Sequence, residues 1–426
     1  MDITLLIFVL VYVAMGAGKL PGTMVDRTGA AVIGALAVMA AGGISAQGAW
    51  DAIDYRTIGM LFGLMVVSAA FVVSNFYAWT AQRVATLEVG PPALLGVLVA
   101  VGGLLSALLT NDVVVVAMTP LLVSLTLARG LNPVPFLLAF CFAANTGSSG
   151  TLIGSPQNMI AAQGLGLSFN GFLGAAGLPA LASLPIVWGI VCLMYRGRWT
   201  LAPSPAQPAG GRATAAQGTA AQGTAARETP ALDLWETAKA GIVTLAVVAA
   251  FIASPWPREL VALTAAAFLL INRTIASSDM LKHVDGNLLL LIMGLFVVNA
   301  AMAATGLPEH LLAGLRGAGI DLTQPLSLFL VSGVLSNAVG NNPAVMLLVP
   351  LLKPGPEADA LGAALALGTG FSSNLIVFGS LAGIIVVEQA AASGVKISFG
   401  EFARAGVPVT LACMALAAAW IALMTA

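Results

Sequence analysis

Two stretches of the chain decide its fold: residues 105–120 read LSALLTNDVVVVAMTP, and residues 335–350 read LSNAVGNNPAVMLLVP. Each is an apolar run that polar residues interrupt once, at 110–112 in the first stretch and at 340–342 in the second. Their closing prolines, Pro120 and Pro350, are separated by slightly more than half of the chain. The pair therefore indicates an internal duplication with an interrupted helix in each half.

Composition places both stretches in a lipid bilayer. Charged residues make up 8% of the 426 residues and hydrophobic residues 59%, whereas a soluble globular protein is about 25% charged. So little charge cannot cover the water-facing surface of a soluble chain of this length. The net charge of −1 offers no footprint for nucleic acid. The three cysteines lie far apart, which argues against a disulfide framework or a soft-metal cluster.

Apolar segments predict ten full-length membrane spans, since a span needs about 20 apolar residues. The candidates are 3–20, 28–46, 57–76, 134–163, 172–194, 236–254, 257–272, 287–306, 360–392 and 404–425. Segments 134–163 and 360–392 are too long for one straight helix, and small or polar residues interrupt both. The hydrophilic segment 195–235 is rich in Ala, Gly, Pro, Gln and Thr, which predicts a flexible linker. The predicted units are therefore 1–194, the linker 195–235, and 236–426.

Further repeats support a duplication. Residues 54–67 resemble 285–298, and residues 148–155 resemble 373–380, in the same order along the chain. Internal repeats are frequent in secondary transporters. If 92–127 and 323–352 are re-entrant hairpins, each half has five crossings, an odd number, and the halves are inverted. The predicted fold is an all-α polytopic membrane protein of two inverted repeats, each with five transmembrane helices and one re-entrant hairpin.

Positive charge predicts the orientation. With the N-terminus outside, 13 of the 17 Lys and Arg residues face the cytoplasm, and only Arg56, Arg258, Arg316 and Lys353 face outward. This distribution obeys the positive-inside rule. We therefore expect a cytoplasmic linker, two external termini and a multi-pass location in the cell inner membrane.

The interruptions in the two stretches are the first candidate site. An interrupted helix in hydrocarbon must line a cavity or pack inside protein, and the free N–H groups at each new helix start favour an anion or a hydroxylated oxyacid. The predicted substrate-binding residues there are Thr110, Asn111, Asn341 and Asn342. The alternative is that these side chains only cap their helices.

A second pair of interruptions lies at 145–151 and 369–374. Unwound backbone and hydroxyl oxygens can hold Na⁺ or relay protons, whereas the alternative is close helix packing through small residues. We predict that four of these residues contact the substrate: Ser148, Ser149, Ser373 and Asn374. We predict that the others bind an ion or break the helix: Asn145, Thr146, Gly150, Thr151, Thr369 and Gly370.

Asp112 is the one ionisable group that the sequence places deep in the bilayer. A carboxylate at a helix centre costs about 2.5–3.5 kcal/mol on insertion scales, which makes it a functional candidate. We predict that Asp112 couples proton movement to transport. No metalloprotease, hydrolase or phosphate-loop motif occurs, and a single carboxylate gives no catalytic pair. We therefore predict a transporter and not an enzyme, with no cofactor and no metal centre.

At these residues the chain resembles the ion transporter superfamily. The resemblance rests on 109–112 with Thr119-Pro120, on 341–343, on 379–382 and on 394–399, and it covers nearly the whole chain apart from the linker. It is strongest toward the arsenite permease branch. That branch implies hairpin tips that bind the substrate, and efflux of As(III) or Sb(III) that is coupled to protons or assisted by an ATPase subunit. The stretch GTLIGSPQN at 150–158 is instead similar to dicarboxylate, citrate and sulfate carriers.

The chemistry of the interruptions bears on the substrate. Arsenite near neutral pH is As(OH)₃, a small triol that suits Asn, Ser and Thr, whereas a dicarboxylate favours Arg or Lys, and none falls in the interruptions. We therefore expect arsenite or antimonite efflux in exchange for protons. The alternatives are a Na⁺- or H⁺-coupled carrier of dicarboxylates, tricarboxylates or inorganic anions, and a Na⁺/H⁺ antiporter.

Overall fold

The computed structural model describes residues 3–201, 231–352, 355 and 357–425, without the side chains of residues 309 and 311. Within these ranges the chain is almost entirely helical and has no β-strand beyond two isolated bridges. Seven of the described helices, with 18 to 26 residues each, are long and apolar enough to cross a membrane. The prediction of an all-α polytopic membrane protein is confirmed.

The described residues form twenty α-helices, ten on each side of the gap at 202–230. The first ten are α1 (Ile3–Ala17), α2 (Arg27–Ala40), α3 (Ala46–Ala52), α4 (Tyr55–Val73), α5 (Phe76–Ala85), α6 (Pro91–Leu108), α7 (Asn111–Ala128), α8 (Pro133–Ser148), α9 (Pro156–Leu165) and α10 (Phe169–Met194). The second ten are α11 (Leu234–Ala253), α12 (Arg258–Leu270), α13 (Ser277–Leu281), α14 (Gly286–Ala303), α15 (Leu307–Gly317), α16 (Pro325–Val339), α17 (Asn341–Leu348), α18 (Ala358–Ser372), α19 (Leu381–Ala392) and α20 (Phe399–Met424).

The helices of the two halves follow each other in the same order and pack in matched pairs. Helix α6 packs on α8 as α16 packs on α18, and α4 packs on α12 as α14 packs on α2. Order and packing agree with a duplication. The inverted orientation of the halves stays a prediction.

Each predicted interruption separates two helices. Helix α6 ends at Leu108 and α7 begins at Asn111, whereas α16 and α17 meet at Gly340, whose φ of 93° few side chains tolerate. Helices α6 and α7 have 18 residues each, so their length alone is sufficient for a crossing. Helices α16 and α17 are shorter, with 15 and 8 residues. Re-entrancy of the two hairpins therefore stays a prediction.

The two long candidate spans are also divided. Helices α8 and α9 are separated by residues 149–155, and α18 and α19 by residues 373–380. Every residue of α8 is buried, and so is every residue of α18 from Leu361 to Ser372. A helix that is apolar on all sides and fully buried belongs to the core. The core of the molecule therefore surrounds these divided helices.

The structure describes only the two ends of the predicted linker. Residues 202–230 lie outside the described ranges, and α11 already begins at Leu234. The backbone N–H of Asp233 donates to the carbonyl oxygen of Ser74 over 3.1 Å. The side chain of Asn75 donates to the carbonyl oxygen of Ala231 over 3.3 Å. The C-terminal end of segment 195–235 is thus packed on the α4–α5 junction.

Candidate functional site

The divided helices of the two halves are joined at the centre of the molecule. The side-chain nitrogen of Asn145 donates to the carbonyl oxygen Oδ1 of Asn374 over 2.9 Å and lies 3.0 Å from the hydroxyl oxygen of Ser380. Asn374 in turn donates to the backbone oxygen of Phe142 over 3.2 Å. Asn145 and Asn374 are buried, at 2% and 0% exposure. These bonds hold the interruption after α8 against the interruption after α18.

Close packing completes this junction. A Cβ atom on Gly370 would collide with the hydroxyl of Ser149, so only glycine allows α18 to approach α8 here. The hydroxyls of Ser148 and Ser149 both donate to the backbone oxygen of Asn145, over 3.0 and 2.9 Å. Both serines are therefore buried and hydrogen-bonded within their own helix end.

The start of α7, which we name the first tip (residues 110–112), docks on the interruption of the same half. The backbone N–H of Asn111 donates to the carbonyl oxygen of Gly154 over 3.0 Å. The N–H and the hydroxyl of Thr110 each lie 3.0 Å from the hydroxyl oxygen of Ser68. Thr151 donates to the backbone oxygen of Ala107. These bonds fix the first tip in place.

The start of α17, the second tip (residues 340–342), docks in the corresponding way. The side-chain nitrogen of Asn341 lies 2.9 Å from the hydroxyl oxygen of Ser373, and its Oδ1 accepts from the hydroxyl of Ser336. Ser373 also donates to the backbone oxygen of Thr369 over 2.6 Å. The side chain of Asn341 thus links α16, α17 and the end of α18.

Both tips line one cavity of about 460 Å³, which we name the tip cavity. Its other polar walls are the starts of α2 and α14 and residues of α9 and α19. The polar and charged residues that line it include Asp26, Arg27, Thr28, Asn111, Asp112, Gln157, Asp285, Asn287, Asn341, Asn342, Ser380 and Glu388. Two tips that belong to different halves of the chain therefore meet at a single site.

The structure separates the predicted site residues into two groups. The tip cavity brings together Asn111, Asp112, Asn341 and Asn342. The other predicted residues do not line it and form the docking surfaces around the interruptions: Thr110, Asn145, Thr146, Ser148, Ser149, Gly150, Thr151, Thr369, Gly370, Ser373 and Asn374. Their roles in binding stay predictions.

The tip side chains do not cap their helices. The N-cap residues are Thr110 and Gly340, neither of which forms a side-chain cap. The Oδ1 atoms of Asn111 and Asn342 are buried and have no hydrogen-bond partner among the described residues. Such an atom costs roughly 1–3 kcal/mol when it stays unpaired. Two free acceptors at one cavity suit the hydroxyl groups of a solute.

Further unpaired oxygens surround the first interruption. The hydroxyls of Ser106 and Ser155 and the Oδ1 atom of Asn158 are buried without a partner in the described part of the chain. The side-chain nitrogen of Asn158 instead donates to the backbone oxygens of Ser148 and Thr151, over 2.9 and 2.8 Å. Neutral oxygens beside an interrupted helix are suitable ligands for a hard monovalent cation.

Charged side chains from α2, α14 and α19 are the part of the site that the sequence analysis missed. Arg27 lines the tip cavity together with four carboxylates, those of Asp26, Asp112, Asp285 and Glu388. The Nε atom of Arg27 donates to the backbone oxygen of Met15 over 2.8 Å, and within the described ranges no ion pair joins it to the four acids. Two of these acids could have been recognised locally in the sequence as helix caps, because Asp26 and Asp285 are the N-caps of α2 and α14. Nothing in the sequence placed those helix starts beside the tips.

Comparisons with known proteins agree with this architecture. The family model described as "Citrate transporter" matches residues 8–370. The chain is 32% identical to an uncharacterized transporter of Mycobacterium tuberculosis, over 97% of this chain and 96% of that one. It is 34% identical to a silicon efflux transporter of Oryza sativa subsp. japonica, over 46% of this chain and 41% of the relative.

The fold is also similar to a solved structure. The crystal structure of the YdaH transporter of Alcanivorax borkumensis matches with a TM-score of 0.55 at 16% identity, over 99% of this chain and 97% of that chain. At this identity the likeness concerns the fold alone.

Proposed function

Because the chain belongs to the citrate transporter family, within the ion transporter superfamily, we propose that it is a secondary carrier whose solute binds in the tip cavity. It is a membrane transporter and not an enzyme. The observation that carries the proposal is the meeting of both tips at one cavity, with the unpaired Oδ1 atoms of Asn111 and Asn342. A solute that binds there bridges the two halves, whose relative movement can then expose it to either side.

The solute that we favour is a small uncharged oxyacid such as arsenite or antimonite, which the protein exports in exchange for protons. One arginine and four carboxylates line the cavity, so an anion with several charges meets net repulsion there. The hydroxyl groups of As(OH)₃ can donate to the free amide oxygens at both tips. The silicon efflux name of the rice relative supports export of a hydroxylated solute.

Citrate or another dicarboxylate or tricarboxylate, coupled to Na⁺ or H⁺, is the second candidate. The specific observation that favours it is Arg27, the basic side chain in the cavity wall. The four carboxylates and the unpaired oxygens near Ser106 would then hold the coupling cations. The third candidate is a Na⁺/H⁺ antiporter, in which the same carboxylates would bind the exchanged cations and Arg27 would have no role in binding.

We further propose the arrangement in the membrane that the charge pattern predicts. The α6–α7 and α16–α17 hairpins are re-entrant, the two halves are inverted, and the segment 195–235 is cytoplasmic in a cell inner membrane. The starts of α2 and α14 then lie on the cytoplasmic side, so the tip cavity opens to the cytoplasm. An exporter would take its solute from that side, with or without a bound ATPase subunit.

Uptake into everted vesicles tests the choice of solute. Vesicles with and without the protein receive arsenite, citrate or Na⁺ under an imposed pH gradient. We expect gradient-driven accumulation of arsenite that saturates with concentration. Arg27→Gln is the matched variant, because it should leave arsenite accumulation intact and abolish any transport of citrate. Accumulation of citrate alone, and its loss in Arg27→Gln, would establish the second candidate instead.

A further inference from the structure

A second polar cavity, of about 450 Å³, lies apart from the tips. We name it the Arg258 cavity. The residues that matter for its chemistry are Arg56, Gln163, Asn170, Trp256, Arg258 and Glu259. None of the described residues that line it also lines the tip cavity.

The internal repeat relates the two cavities. Arg27 and Arg258 are the first residues of α2 and α12, and the repeat that aligns residues 54–67 with 285–298 also aligns Arg27 with Arg258. The same alignment places Arg56 opposite Asn287. Each of these four residues lines its cavity. The Arg258 cavity therefore lies at the helix starts that the repeat relates to those lining the tip cavity.

A contact between helices is repeated as well. In the tip cavity the hydroxyl of Thr28 donates to the backbone oxygen of Asn287 over 3.2 Å. At the two equivalent positions of the repeat, Nε of Arg56 lies 3.8 Å from a carboxylate oxygen of Glu259. Both contacts connect the start of one helix with the start of its packed neighbour. The two cavities thus share this pair of helix starts and differ in the side chains that line them.

The charges in the two cavities are opposite. The tip cavity has one arginine against four carboxylates, whereas the Arg258 cavity has two arginines against Glu259. Glu259 is already paired with Arg56. Arg258 has no ion pair: one Nη atom donates to the backbone oxygen of Leu167, and the other is buried without a partner among the described residues. Glu259 therefore attracts Arg258 without pairing with it, and the guanidinium keeps one buried donor without a partner among the described residues.

We propose that the Arg258 cavity is a second binding site, which takes a small oxyanion or a carboxylate and holds it through Arg258. An arginine forms charge-assisted hydrogen bonds with such groups, and these are stronger than neutral ones. Under the predicted topology Arg258 faces outward and Arg27 faces the cytoplasm. A role for this site in binding the transported solute on the outer side of the membrane rests on the proposed function. Anion binding at the site does not.

Trp256 gives this site its own optical signal. The fluorescence of Trp256 is obtained by subtracting the emission of Trp256→Phe from that of the parent, with both full-length proteins purified in detergent. Iodide, an anionic quencher, reports the local anion concentration, acrylamide reports accessibility alone, and citrate and inorganic phosphate are the competing ligands. We expect iodide to quench the fluorescence of Trp256, and we expect bound citrate or phosphate to reduce that quenching.

Four variants decide the assignment. Arg258→Gln should weaken protection by citrate and phosphate roughly tenfold, as loss of a charge-assisted bond predicts, without a change in acrylamide quenching. Arg258→Lys, which keeps the charge, should retain most of the protection. Glu259→Gln should strengthen it, and Arg27→Gln in the other cavity should not change it.

Unchanged protection in Arg258→Gln, or an equal loss in Arg27→Gln, would overturn the proposal. Neither result depends on whether the protein transports arsenite or citrate. A failure of the anion site and a failure of the proposed function are therefore separate outcomes.

Discussion

The side-chain nitrogen of Asn145 and the side-chain oxygen of Asn374 lie 2.9 Å apart, although the two residues belong to different halves of the chain. The first residue belongs to the last turn of α8, and the second follows α18. Each half docks its tip on its own interruption, through Asn111 and Gly154 in the first half and through Asn341 and Ser373 in the second. The Asn145–Asn374 bond therefore aligns the two tips at one cavity.

Asn145→Ala should destabilise the protein and abolish transport. The substitution removes the donor to Asn374 and leaves a buried acceptor unpaired, which costs roughly 1–3 kcal/mol. Unfolding in detergent, followed by circular dichroism during a denaturant titration, measures the loss. Asn170→Ala is the matched control, because Asn170 is exposed and its side chain donates one hydrogen bond, to the backbone oxygen of Ile252. Equal stability of both variants would show that the junction does not depend on the Asn145–Asn374 bond.

Alanine substitutions at the two tips should both abolish transport but should differ in stability. The Oδ1 atom of Asn111 has no hydrogen-bond partner among the described residues. Asn111→Ala should therefore fold with nearly the stability of the parent. Asn341 bonds with Ser336 and Ser373, so Asn341→Ala should lose about 1–3 kcal/mol. Transport by vesicles and thermal unfolding are measured on the same preparations. Full transport by both variants would mean that the tips do not contact the solute.

Asp112→Asn should remove coupling to protons. Asp112 lies in the tip cavity, forms no ion pair in the described structure, and belongs to the first turn of α7, so it can release and bind a proton during each cycle. Asparagine keeps the shape and the hydrogen-bonding groups but does not titrate. We expect uphill accumulation to disappear while downhill exchange of solute continues, in vesicles with and without a pH gradient. Uphill transport with the pH dependence of the parent would assign coupling to Na⁺ or to an ATPase partner.

Gly370→Ala should separate the two divided helices. The new Cβ atom would collide with the hydroxyl of Ser149 beside the neighbouring helix, and overpacking of a core costs about 1–3 kcal/mol. Gly174→Ala, on α10, is the matched control, since the Cβ that it would add meets no described atom within 4 Å beyond its chain neighbours and the backbone of its own helix turn. A lower thermal midpoint is expected for Gly370→Ala only. The same midpoint in both variants would mean that α18 can shift without cost.

Cysteine labelling tests the orientation. Ser278 and Ala318 are both exposed and lie on either side of α14, near Lys282 and Arg316 respectively. With the predicted topology, an impermeant maleimide should label Ala318→Cys in intact cells and Ser278→Cys only after permeabilisation. Both substitutions are introduced after the three native cysteines have been replaced. The opposite pattern would place the tip cavity on the outer face.

The sequence by itself determined the class of protein and the positions of the helix interruptions. It also identified the two tips as candidate substrate-binding sites. These are local properties. An apolar run reveals its membrane location through composition, and a polar interruption of such a run reveals a helix end, whatever surrounds it. The repeat, visible at Pro120 and Pro350, also needed no structure.

Only the tertiary structure decided which of these polar residues share a cavity. Ser149 and Asn374 are in polar interruptions just as Asn111 is, yet they pack in contacts between helices and do not line the tip cavity. Arg27 enters the site from a helix start that nothing in the sequence placed beside the tips. The physical reason is that the lining of a cavity depends on which faces of distant helices meet. That depends on close approach at positions such as Gly370, where a helix from the second half packs against one from the first.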